Sequence, residues 1–341
     1  MKKKILVTGG LGYIGSHTVV ELILKGYEPI ILDDLSNSQI GILERIEEIS
    51  GVCSDFHMVD LKDKNSLKKI LDTYPALDSV IHFAASKAVG ESVLNPLKYY
   101  ENNLVGLISL LDYFKNKPLN FVFSSSCTVY GEPDSLPVTE QNEVKRATSP
   151  YGNTKQIAEE ILKDVAEAEV DSHVIALRYF NPVGAHPSGL IGELPLGTPQ
   201  NLVPFITQTA IGKRESLTVF GDDYDTPDGT CIRDYIHVVD LAKAHLAALE
   251  LLESNRSSHF EIFNVGTGKG YSVLEVINAF EKVSCTKLNY RFGPRRLGDT
   301  TQIWGDTEKS KKVLGWNAEL DIEAMMKSAW IWEKSIKDSV I

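Results

Sequence analysis

Residues 4–34, KILVTGGLGYIGSHTVVELILKGYEPIILDD, hold the pattern that decides the fold. A short apolar run leads into a glycine-rich turn, and an amphipathic segment and a second apolar run follow. Gly10, Gly12 and Gly15 fit G-x-G-x-x-G, and Gly9, Gly12 and Gly15 fit the related G-x-x-G-x-x-G. Glycine is needed there because the backbone must bend tightly and approach a pyrophosphate closely. The stretch therefore predicts the strand, turn and helix of a dinucleotide-binding unit.

An acidic residue follows this turn at a suitable distance. Asp33 ends the second apolar run, eighteen residues after Gly15. A carboxylate at that place accepts hydrogen bonds from the adenosine ribose hydroxyls and repels a 2′-phosphate. The alternative is that Asp33 or Asp34 only caps a helix or bounds a loop. Because strand, turn, helix and acid occur in register, we expect NAD rather than NADP as the cofactor.

Short apolar runs alternate with amphipathic segments through the first half of the chain. Strands are predicted for KILVT, EPIILD, DFHMV, SVIHFA, NFVFSS and SHVIALRYF, and helices for about 13–25, 63–74, 96–116 and 150–168. Such alternation is typical of βαβ units around a parallel sheet. The expected fold is therefore α/β, a Rossmann-type doubly wound parallel sheet with a smaller C-terminal α/β substrate-binding region.

The texture of the sequence changes after Tyr179. The segment NPVGAHPSGLIGELPLGTPQN is rich in glycine and proline, which indicates long loops and shorter elements. We expect an NAD-binding domain over 1–178 and a mainly substrate-binding region over 179–341. Part of the latter, about 237–265, is expected to pack back on the first domain.

Composition limits the possible partners. The 341 residues contain 43% apolar side chains, enough for a substantial core, and no apolar stretch approaches transmembrane length. Lys and Arg number 35 against 46 Asp and Glu, a net charge of -11. Nucleic-acid and anionic-membrane binding both need basic excess, so neither partner is expected.

The cysteines and histidines show no ligand pattern. Four scattered cysteines lack a C-x-x-C pair, and the eight histidines show no metal-binding spacing. We expect neither a disulfide framework nor a metal, and a reducing, cytoplasmic location. The opening MKKKILVTGG has the charged start of a signal peptide, but its apolar run is too short, which favours a first strand.

The segment SPYGNTK, 149–155, places chemistry on the buried face of a helix. At 3.6 residues per turn, Tyr151 and Lys155 lie on the same stripe as Ala158 and Leu162. Taken singly, the tyrosine reads as a packed aromatic and the lysine as a snorkelling stem. Together, an ammonium group one turn away lowers the pKa of a tyrosine, and Ser126 in FVFSSSCTVYG can share its proton.

These residues carry a resemblance. Tyr151-x-x-x-Lys155, an upstream serine and an N-terminal glycine turn resemble the extended short-chain dehydrogenase/reductase superfamily. Longer segments are similar, in order and spacing, to its UDP-glucose 4-epimerase family: VTGGLGYIGSH, HFAASKAVGESVLNPLKYYENN, FVFSSSCTVYG, SPYGNTK, LRYFNPVGAHPSG, GTCIRDYIHVVDLA and GPRRLGDTTQIW. The similarity spans essentially the whole chain, and YFNPVGAHPSG is more specific than the Tyr/Lys pair.

The resemblance implies roles for individual residues. It makes Ser126, Tyr151 and Lys155 the catalytic set. The positions that would hold NAD are Gly9, Gly12, Tyr13, Ile14, Gly15, Asp33, Asn37, Asp60, Leu61, Phe83, Ala84, Lys87, Asn102, Tyr151, Lys155 and Tyr179. The positions that would hold the UDP-sugar are Ser126, Tyr151, Asn181, Asn201, Leu202, Arg233, Arg296, Asp299 and Ile303.

The resemblance also implies a reaction and an assembly. Tyr151, as phenolate, would take the proton of the sugar C4 hydroxyl in a reversible conversion of UDP-galactose and UDP-glucose through a 4-keto sugar. NAD would stay tightly bound, because no net redox change occurs. A homodimer is implied by the resemblance alone. A diphosphate needs guanidinium donors, which Arg233, Arg295 and Arg296 can supply, although each singly reads as a surface charge.

Two positions depart from the family pattern. Gln200 precedes Asn201 where Asn-Asn-Leu is common, and Ile303 stands where many bacterial members have tyrosine. Tyrosine closes the sugar pocket and a smaller residue opens it to N-acetylhexosamines, so Ile303 leaves activity on those sugars open.

Two other functions remain as alternatives. A nucleotide-sugar 4,6-dehydratase or decarboxylase could use the same scaffold. The dehydratases, however, have an Asp-Glu pair where this chain has Cys127 and Thr128, which cannot transfer that proton at neutral pH. A non-catalytic NAD-binding regulator is the second alternative. It would not need Ser126, Tyr151 and Lys155 together.

Overall fold

The computed structural model describes residues 2–254, 259–296 and 299–337. Its strands are Lys4–Thr8 (β1), Glu28–Asp33 (β2), Asp55–Met58 (β3), Ser79–His82 (β4), Leu119–Ser124 (β5), Ser172–Tyr179 (β6), Asn181–Val183 (β7), Leu217–Phe220 (β8), Ile232–His237 (β9), Phe260–Val265 (β10), Gly270–Ser272 (β11), Tyr290–Gly293 (β12) and Gln302–Ile303 (β13).

Helices surround these strands. The α-helices are Tyr13–Lys25 (α1), Gly41–Ser50 (α2), Lys64–Leu71 (α3), Val89–Leu94 (α4), Pro96–Tyr100 (α5), Gly106–Phe114 (α6), Pro150–Ala168 (α7), Leu202–Ala210 (α8), Val238–Glu253 (α9), Val273–Ser284 (α10) and Ile322–Lys337 (α11). A 3₁₀ turn covers Cys127–Tyr130, and π-helical turns cover Glu101–Val105 and Ser310–Leu314. No helix in the described ranges is long and apolar enough to cross a membrane.

Seven strands form one parallel sheet in the order β10-β6-β5-β4-β1-β2-β3. Neighbouring side chains of β1 serve opposite faces, because Ile5 and Val7 join one core cluster and Leu6 the other. Helices α1, α2 and α9 cover the first face, and α3, α6 and α7 cover the second. The predicted Rossmann-type fold, with a parallel sheet buried on both sides, is confirmed.

The second region is smaller. Strand β9 pairs with β7 and β13 in parallel and with β11 antiparallel, while β8 pairs with β12. A third core cluster, which includes Ile206, Phe280 and Met325, joins α8, α10 and α11 beneath these strands. Helix α9 packs on α1, and β10 forms one edge of the main sheet. Residues 255–258, within the segment predicted to pack back, lie outside the described residues.

The outer edge of β10 is covered by side chains rather than by another strand. Glu140 accepts a hydrogen bond from the Asn264 amide at 2.7 Å, and Lys309 donates to the Ile262 carbonyl at 2.8 Å. Ser310 donates to the Asn264 carbonyl. A cleft of about 600 Å³ runs along this edge, and none of its lining residues is predicted to bind ligand. Backbone groups of β10 that already bond to these side chains cannot pair with a strand of another chain, which limits aggregation.

Several boundaries differ from the prediction. The helix expected over 96–116 is divided, because a π-helical turn at Glu101–Val105 separates α5 from α6. The helix expected over 63–74 begins at Lys64, capped by Asp63, and ends at Leu71. Helices α2 and α4 lie in segments for which no helix was predicted. The helix expected over 150–168 has those bounds.

Candidate active site

The glycine-rich turn lies between β1 and α1. Gly9 has φ +69°, a conformation that side chains rarely adopt. A Cβ on Gly15 would lie 2.2 Å from the Gly9 carbonyl oxygen, so helix α1 can pack on the turn only with glycine there. The amide groups at the start of α1 then face outward from this cradle, an arrangement that suits the pyrophosphate of a dinucleotide.

The carboxylate of Asp33, at the end of β2, accepts hydrogen bonds from two neighbouring loops. Its Oδ2 accepts a hydrogen bond from the Leu11 amide at 3.0 Å, and its Oδ1 accepts from the Leu35 amide and the Ser38 hydroxyl. The carboxylate therefore fixes the glycine turn against the loop after β2. Asn37, in the same loop, is exposed. A ribose contact of Asp33 stays a prediction.

The other residues predicted to hold NAD follow neighbouring strands. Asp60 and Leu61 come after β3, and Phe83 and Ala84 come directly after β4. These positions share the carboxyl edge of the sheet with the glycine turn, which is where ligands of doubly wound sheets bind. Ile14 lies in the first turn of α1 and packs against the core.

Tyr13 links the glycine turn to the second region. Its hydroxyl donates to the Gly184 carbonyl oxygen at 2.7 Å, and burial raises its pKa well above the ordinary range. The Lys87 ammonium lies 5.7 Å from the centre of the Tyr13 ring. Lys87 is thus held over the N-terminal turn of α1.

Asn102 lies in the π-helical turn at Glu101–Val105. The adjacent Asn103 points inward from this turn. Its side-chain oxygen accepts a hydrogen bond from the Ser86 amide, and its side-chain nitrogen donates to the Ser86 carbonyl oxygen and, at 3.0 Å, to the Thr154 hydroxyl. Asn102 donates to Asn103 at 3.2 Å. π-Helical turns are frequent at functional sites. This one joins the loop after β4 to helix α7.

Helix α7 begins with a defined cap. Ser149 accepts a hydrogen bond from the Gly152 amide at 3.1 Å, and Pro150 occupies the first turn, where its missing N–H is not needed. This start fixes the direction of the tyrosine and lysine one turn apart. Tyr151 and Lys155 both point inward, at 7% and 4% exposure.

Ser126, Tyr151 and Lys155 meet at the end of β5. The Ser126 hydroxyl acts to lower the pKa of Tyr151, and its oxygen accepts hydrogen bonds from the amide and the hydroxyl of Thr128. The Lys155 ammonium donates to the Ser124 carbonyl oxygen at 2.7 Å. Tyr179 accepts a hydrogen bond from the Ser124 hydroxyl at 3.1 Å. The structure therefore brings the predicted catalytic set together.

Burial dominates the protonation of this group. It raises the pKa of Tyr151 well above 10, although the Ser126 side chain acts in the opposite direction. It lowers the pKa of Lys155 from 10.5 to about 8. The predicted lowering of the Tyr151 pKa by Lys155 is therefore not found in the chain alone, because the loss of water around a phenolate outweighs the nearby ammonium.

Two arginines of the predicted substrate site converge on one carboxylate. Arg233, in β9, donates to Asp299 at 2.8 Å, and Arg296 lies 3.5 Å from the other Asp299 oxygen. Each guanidinium keeps further donors for an anion. Arg295 instead pairs with Asp223 at 2.7 Å. Residues 297 and 298, in the GPRRLGDTTQIW segment, lie outside the described residues.

Comparison with known proteins gives consistent results. The sequence model of the GDP-mannose 4,6 dehydratase family matches residues 6–329. A UDP-glucose 4-epimerase from Haemophilus influenzae is 52% identical over 332 residues, which cover 97% of this chain and 97% of the relative. The chain belongs to the UDP-glucose 4-epimerase family.

Solved structures of the epimerase family match equally well. The crystal structure of a UDP-glucose 4-epimerase from Bifidobacterium longum in complex with NAD⁺ and UDP is 45% identical, with a TM-score of 0.94 over 98% of this chain and 99% of that one. A UDP-Glc/GlcNAc 4-epimerase from Campylobacter jejuni is 39% identical, with a TM-score of 0.83 over 98% and 99%. The resemblance seen in the sequence is confirmed.

The feature that separates this chain from a dehydratase lies beside Ser126. Burial raises the pKa of the Cys127 thiol to about 12, and the Thr128 hydroxyl donates a hydrogen bond to the Ser126 hydroxyl. Neither side chain is an acid or base at neutral pH. The epimerase scaffold here therefore lacks a second proton-transfer pair at the place where dehydratases have one.

Sequence reasoning missed one residue of this epimerase-family site. Glu193 Oε1 accepts hydrogen bonds from Lys87 at 3.1 Å and from Asn201 at 2.6 Å. Lys87 was predicted to hold the cofactor and Asn201 the UDP-sugar, so one oxygen joins the two predicted sites. Leu202 follows Asn201 at the start of α8, and Asn181 begins β7. Glu193 lies in a glycine- and proline-rich loop with no motif to mark it.

Proposed function

We propose that this protein catalyses the reversible C4 epimerisation of UDP-galactose and UDP-glucose. The observation that carries the proposal is the buried group of Ser126, Tyr151 and Lys155 at the carboxyl edge of a dinucleotide-binding sheet. The choice of substrate is supported by the relatives, because those about 50% identical over nearly the full chain are UDP-glucose 4-epimerases.

The glycine cradle and the residues around it would hold NAD. Gly9, Gly12 and Gly15 leave room for a pyrophosphate at the start of α1, and Asp33 lies beside that turn. NAD, when bound, supplies the acceptor and donor of the C4 hydride and a positive charge that favours a nearby phenolate. The remaining chemistry falls to side chains of this chain.

Tyr151 acts as the base. It takes the proton of the C4 hydroxyl and later returns a proton to the C4 oxygen. Because burial raises its pKa, the phenolate needs support from the Ser126 hydroxyl and the Lys155 ammonium. Ser126 also orients the C4 hydroxyl, since its oxygen lies in the same hydrogen-bonded group. General acid–base catalysis of this kind contributes about 10² to 10⁴ in rate.

Inversion at C4 requires the sugar to turn over while the nucleotide stays fixed. Arg233 and Arg296 would bind the diphosphate through guanidinium donors, with Asp299 holding both in place. Asn181, Asn201 and Leu202 would contact the UDP-sugar on the same side. The 4-keto sugar, held only weakly, would turn its other face toward the place where the nicotinamide would supply the C4 hydride, and Tyr151 would return the proton to the C4 oxygen. Each cycle then ends without net oxidation.

A single experiment separates this function from its alternatives. Purified protein is given UDP-galactose, and the nucleotide sugars are identified by mass and NMR. UDP-glucose as the product supports the epimerase. A stable keto-sugar or pentose product would mean a dehydratase or decarboxylase, and no conversion by protein that contains NAD would mean a regulator.

The assembly is proposed to be a homodimer. Helices α4 to α6 carry an apolar surface in which Val93 is 54% exposed and Leu94 and Leu97 are each 79% exposed, with Val105 and Ile108 beside them. Several large apolar side chains exposed on consecutive elements favour a protein interface. Sedimentation velocity at micromolar concentration, with Leu97→Asp as the comparison, tests it. A wild-type monomer would contradict the proposal.

We also infer a cytoplasmic location and two functional regions. All four cysteines are free thiols, and Cys53 and Cys285 are exposed, which suits a reducing compartment. Residues 1–178 would bind NAD and 179–341 mainly the UDP-sugar, apart from α9 and β10, which belong with the main sheet. Cell fractionation and limited proteolysis test the two inferences.

A further inference from the structure

Ser124 ends β5, Ser125 and Ser126 follow it, and each of the three has a different partner. The Ser124 carbonyl oxygen accepts a hydrogen bond from the Lys155 ammonium, and the Ser126 hydroxyl acts to lower the pKa of Tyr151. Ser125, between them, is fully buried and donates to Glu159 at 2.5 Å. The proposed mechanism involves Ser124 and Ser126 and gives Ser125 no role.

Glu159 joins three elements that carry predicted catalytic or cofactor residues. It lies on α7, one turn after Lys155, and is 7% exposed. Arg178, on β6 next to Tyr179, holds both carboxylate oxygens, with its Nε 3.0 Å from one and its Nη2 2.6 Å from the other. Helix α7, the end of β5 and the end of β6 are thus tied at one carboxylate.

Stability alone does not account for this ion pair. A buried charge pair is often no more stabilising than apolar residues of the same volume, because both ions lose water. Arg178 is 3% exposed and stacks 4.7 Å from the Tyr130 ring centre. Its geometry is bidentate, which fixes direction as well as distance. Such a contact is suited to holding α7 in one register against the sheet.

The charge of Glu159 also reaches the catalytic lysine. Among the described residues, three titratable groups interact with Lys155: Tyr151, whose ring centre lies 6.0 Å from the ammonium, Glu159 on the same helix, and His82 on β4. Tyr179, on β6, contacts the hydroxyl of Ser124, whose carbonyl oxygen binds Lys155. His82 is neutral at physiological pH, because burial lowers its pKa to about 3. Glu159 is the group whose charge favours the ammonium form of Lys155.

We propose that Glu159, held by Ser125 and Arg178, is a positioning residue for the catalytic set. It fixes helix α7 against the end of β5 and so aligns Tyr151 and Lys155 with Ser126. The inference rests on the proposed function and adds to it a residue that touches neither substrate nor cofactor.

The first test removes one hydroxyl. Ser125→Ala leaves both charges in place, so the protein folds and keeps its NAD. We expect kcat for UDP-galactose to fall about 10- to 100-fold with KM within about twofold of wild type, since a 1 Å displacement can cost about 100-fold. Thr207→Val is the matched control: it removes a hydroxyl that donates to the buried Glu333 carboxylate at 3.0 Å, and it should leave kcat unchanged.

The second test uses pH. Glu159→Gln removes the negative charge, so the alkaline limb of the kcat profile should move to lower pH as Lys155 loses its proton more readily. If that variant does not fold, Glu159→Leu with Arg178→Met replaces the pair by apolar groups of similar volume. That protein should fold, keep its NAD and show a kcat at least as low as Ser125→Ala.

Each outcome decides the inference. Wild-type kcat and an unmoved pH profile in these variants, with only a lower melting temperature, would overturn it, because the network would then be merely structural. A wild-type protein that does not convert UDP-galactose would instead contradict the proposed function.

Discussion

Ile303 lies directly opposite Arg233 in the parallel pair formed by β13 and β9. Ile303 is 6% exposed and packs with Cys127, Val129 and Phe180. Arg233 binds Asp299 and is proposed to hold the diphosphate. The predicted sugar-pocket residue and the predicted anchor are therefore cross-strand neighbours, yet Ile303 faces a separate apolar cluster. We therefore expect that a substitution at Ile303 leaves the proposed anchor in place.

The size of residue 303 should set tolerance for N-acetylated sugars. We expect Ile303→Tyr to lower the kcat/KM for UDP-N-acetylgalactosamine relative to UDP-galactose, and Ile303→Ser to raise it. The change should be about 10- to 200-fold, the range that one group in an apolar pocket produces. Parallel coupled assays on both sugars measure the ratio.

Ile303→Val is the control for this prediction, because it removes one methylene and keeps the apolar cluster. It should change the ratio by less than about tenfold. If neither tyrosine nor serine alters the ratio, Ile303 does not border the sugar.

Tyr151→Phe should abolish turnover while the fold persists. The phenyl ring fills the same buried space, but no oxygen remains to take the C4 proton, so kcat should fall at least about 10²- to 10⁴-fold. NAD released on denaturation, measured by absorbance, should equal the wild-type amount. Tyr27→Phe, which removes a hydroxyl bonded to Glu253 at 2.9 Å, is the matched control and should be fully active. An active Tyr151→Phe would mean that another group is the base.

Arg233→Lys should weaken nucleotide binding. Lysine keeps the charge but loses the planar donor pair, and a hydrogen bond to a charged group is worth about 1.5–3 kcal/mol. The Kd for UDP, measured by isothermal titration, should rise about 10- to 100-fold. Arg295→Lys is the comparison, because Arg295 pairs with the exposed Asp223 and should affect UDP little. Equal effects of the two substitutions would remove Arg233 from the site.

Acid should destabilise the fold through buried histidines. His245 on α9 is fully buried 4.6 Å from the Phe83 ring centre, and burial lowers its pKa from 6.5 to about 4. Between these values the unfolded chain binds a proton that the folded protein does not. Stability is therefore lost as pH falls from 6.5 toward 4, by about 2 kcal/mol at about pH 5 for one such group.

His245→Leu tests this directly. The difference in free energy of unfolding between about pH 7.5 and pH 5, from urea titration, should shrink by about 2 kcal/mol. Leu249→Ala on the same helix should lower stability equally at both pH values, since it does not titrate. An undiminished difference in His245→Leu would show that this histidine is protonated in the folded state.

Local patterns explain what the sequence could predict. The glycine turn, Asp33 and the six strands predicted in the first half follow from turn chemistry and short-range periodicity. The start of α7 at Ser149 and Pro150 likewise depends on neighbouring residues only. The inward face that carries Tyr151 and Lys155 follows from helical spacing.

Contacts distant in sequence account for what was missed. The π-helical turn exists because Asn103 bonds Ser86 and Thr154, and nothing local in the helical pattern marks it. Glu193 is marked only by its hydrogen bond to Lys87, which lies more than a hundred residues away in the sequence. The pKa of Tyr151 depends mainly on burial, whereas the sequence argument considered nearby charges and the Ser126 hydroxyl and did not include burial.

Strand β10 has a consequence for how this protein is made. Residues 260–265 complete the sheet that the first 179 residues begin, so the nascent chain has an open sheet edge at β6 until about half of the second region has been synthesised. An unpaired edge of this kind is a template for aggregation. The two regions therefore mature as one unit, and a fragment that ends before β10 should be found in inclusion bodies rather than as a soluble NAD-binding half.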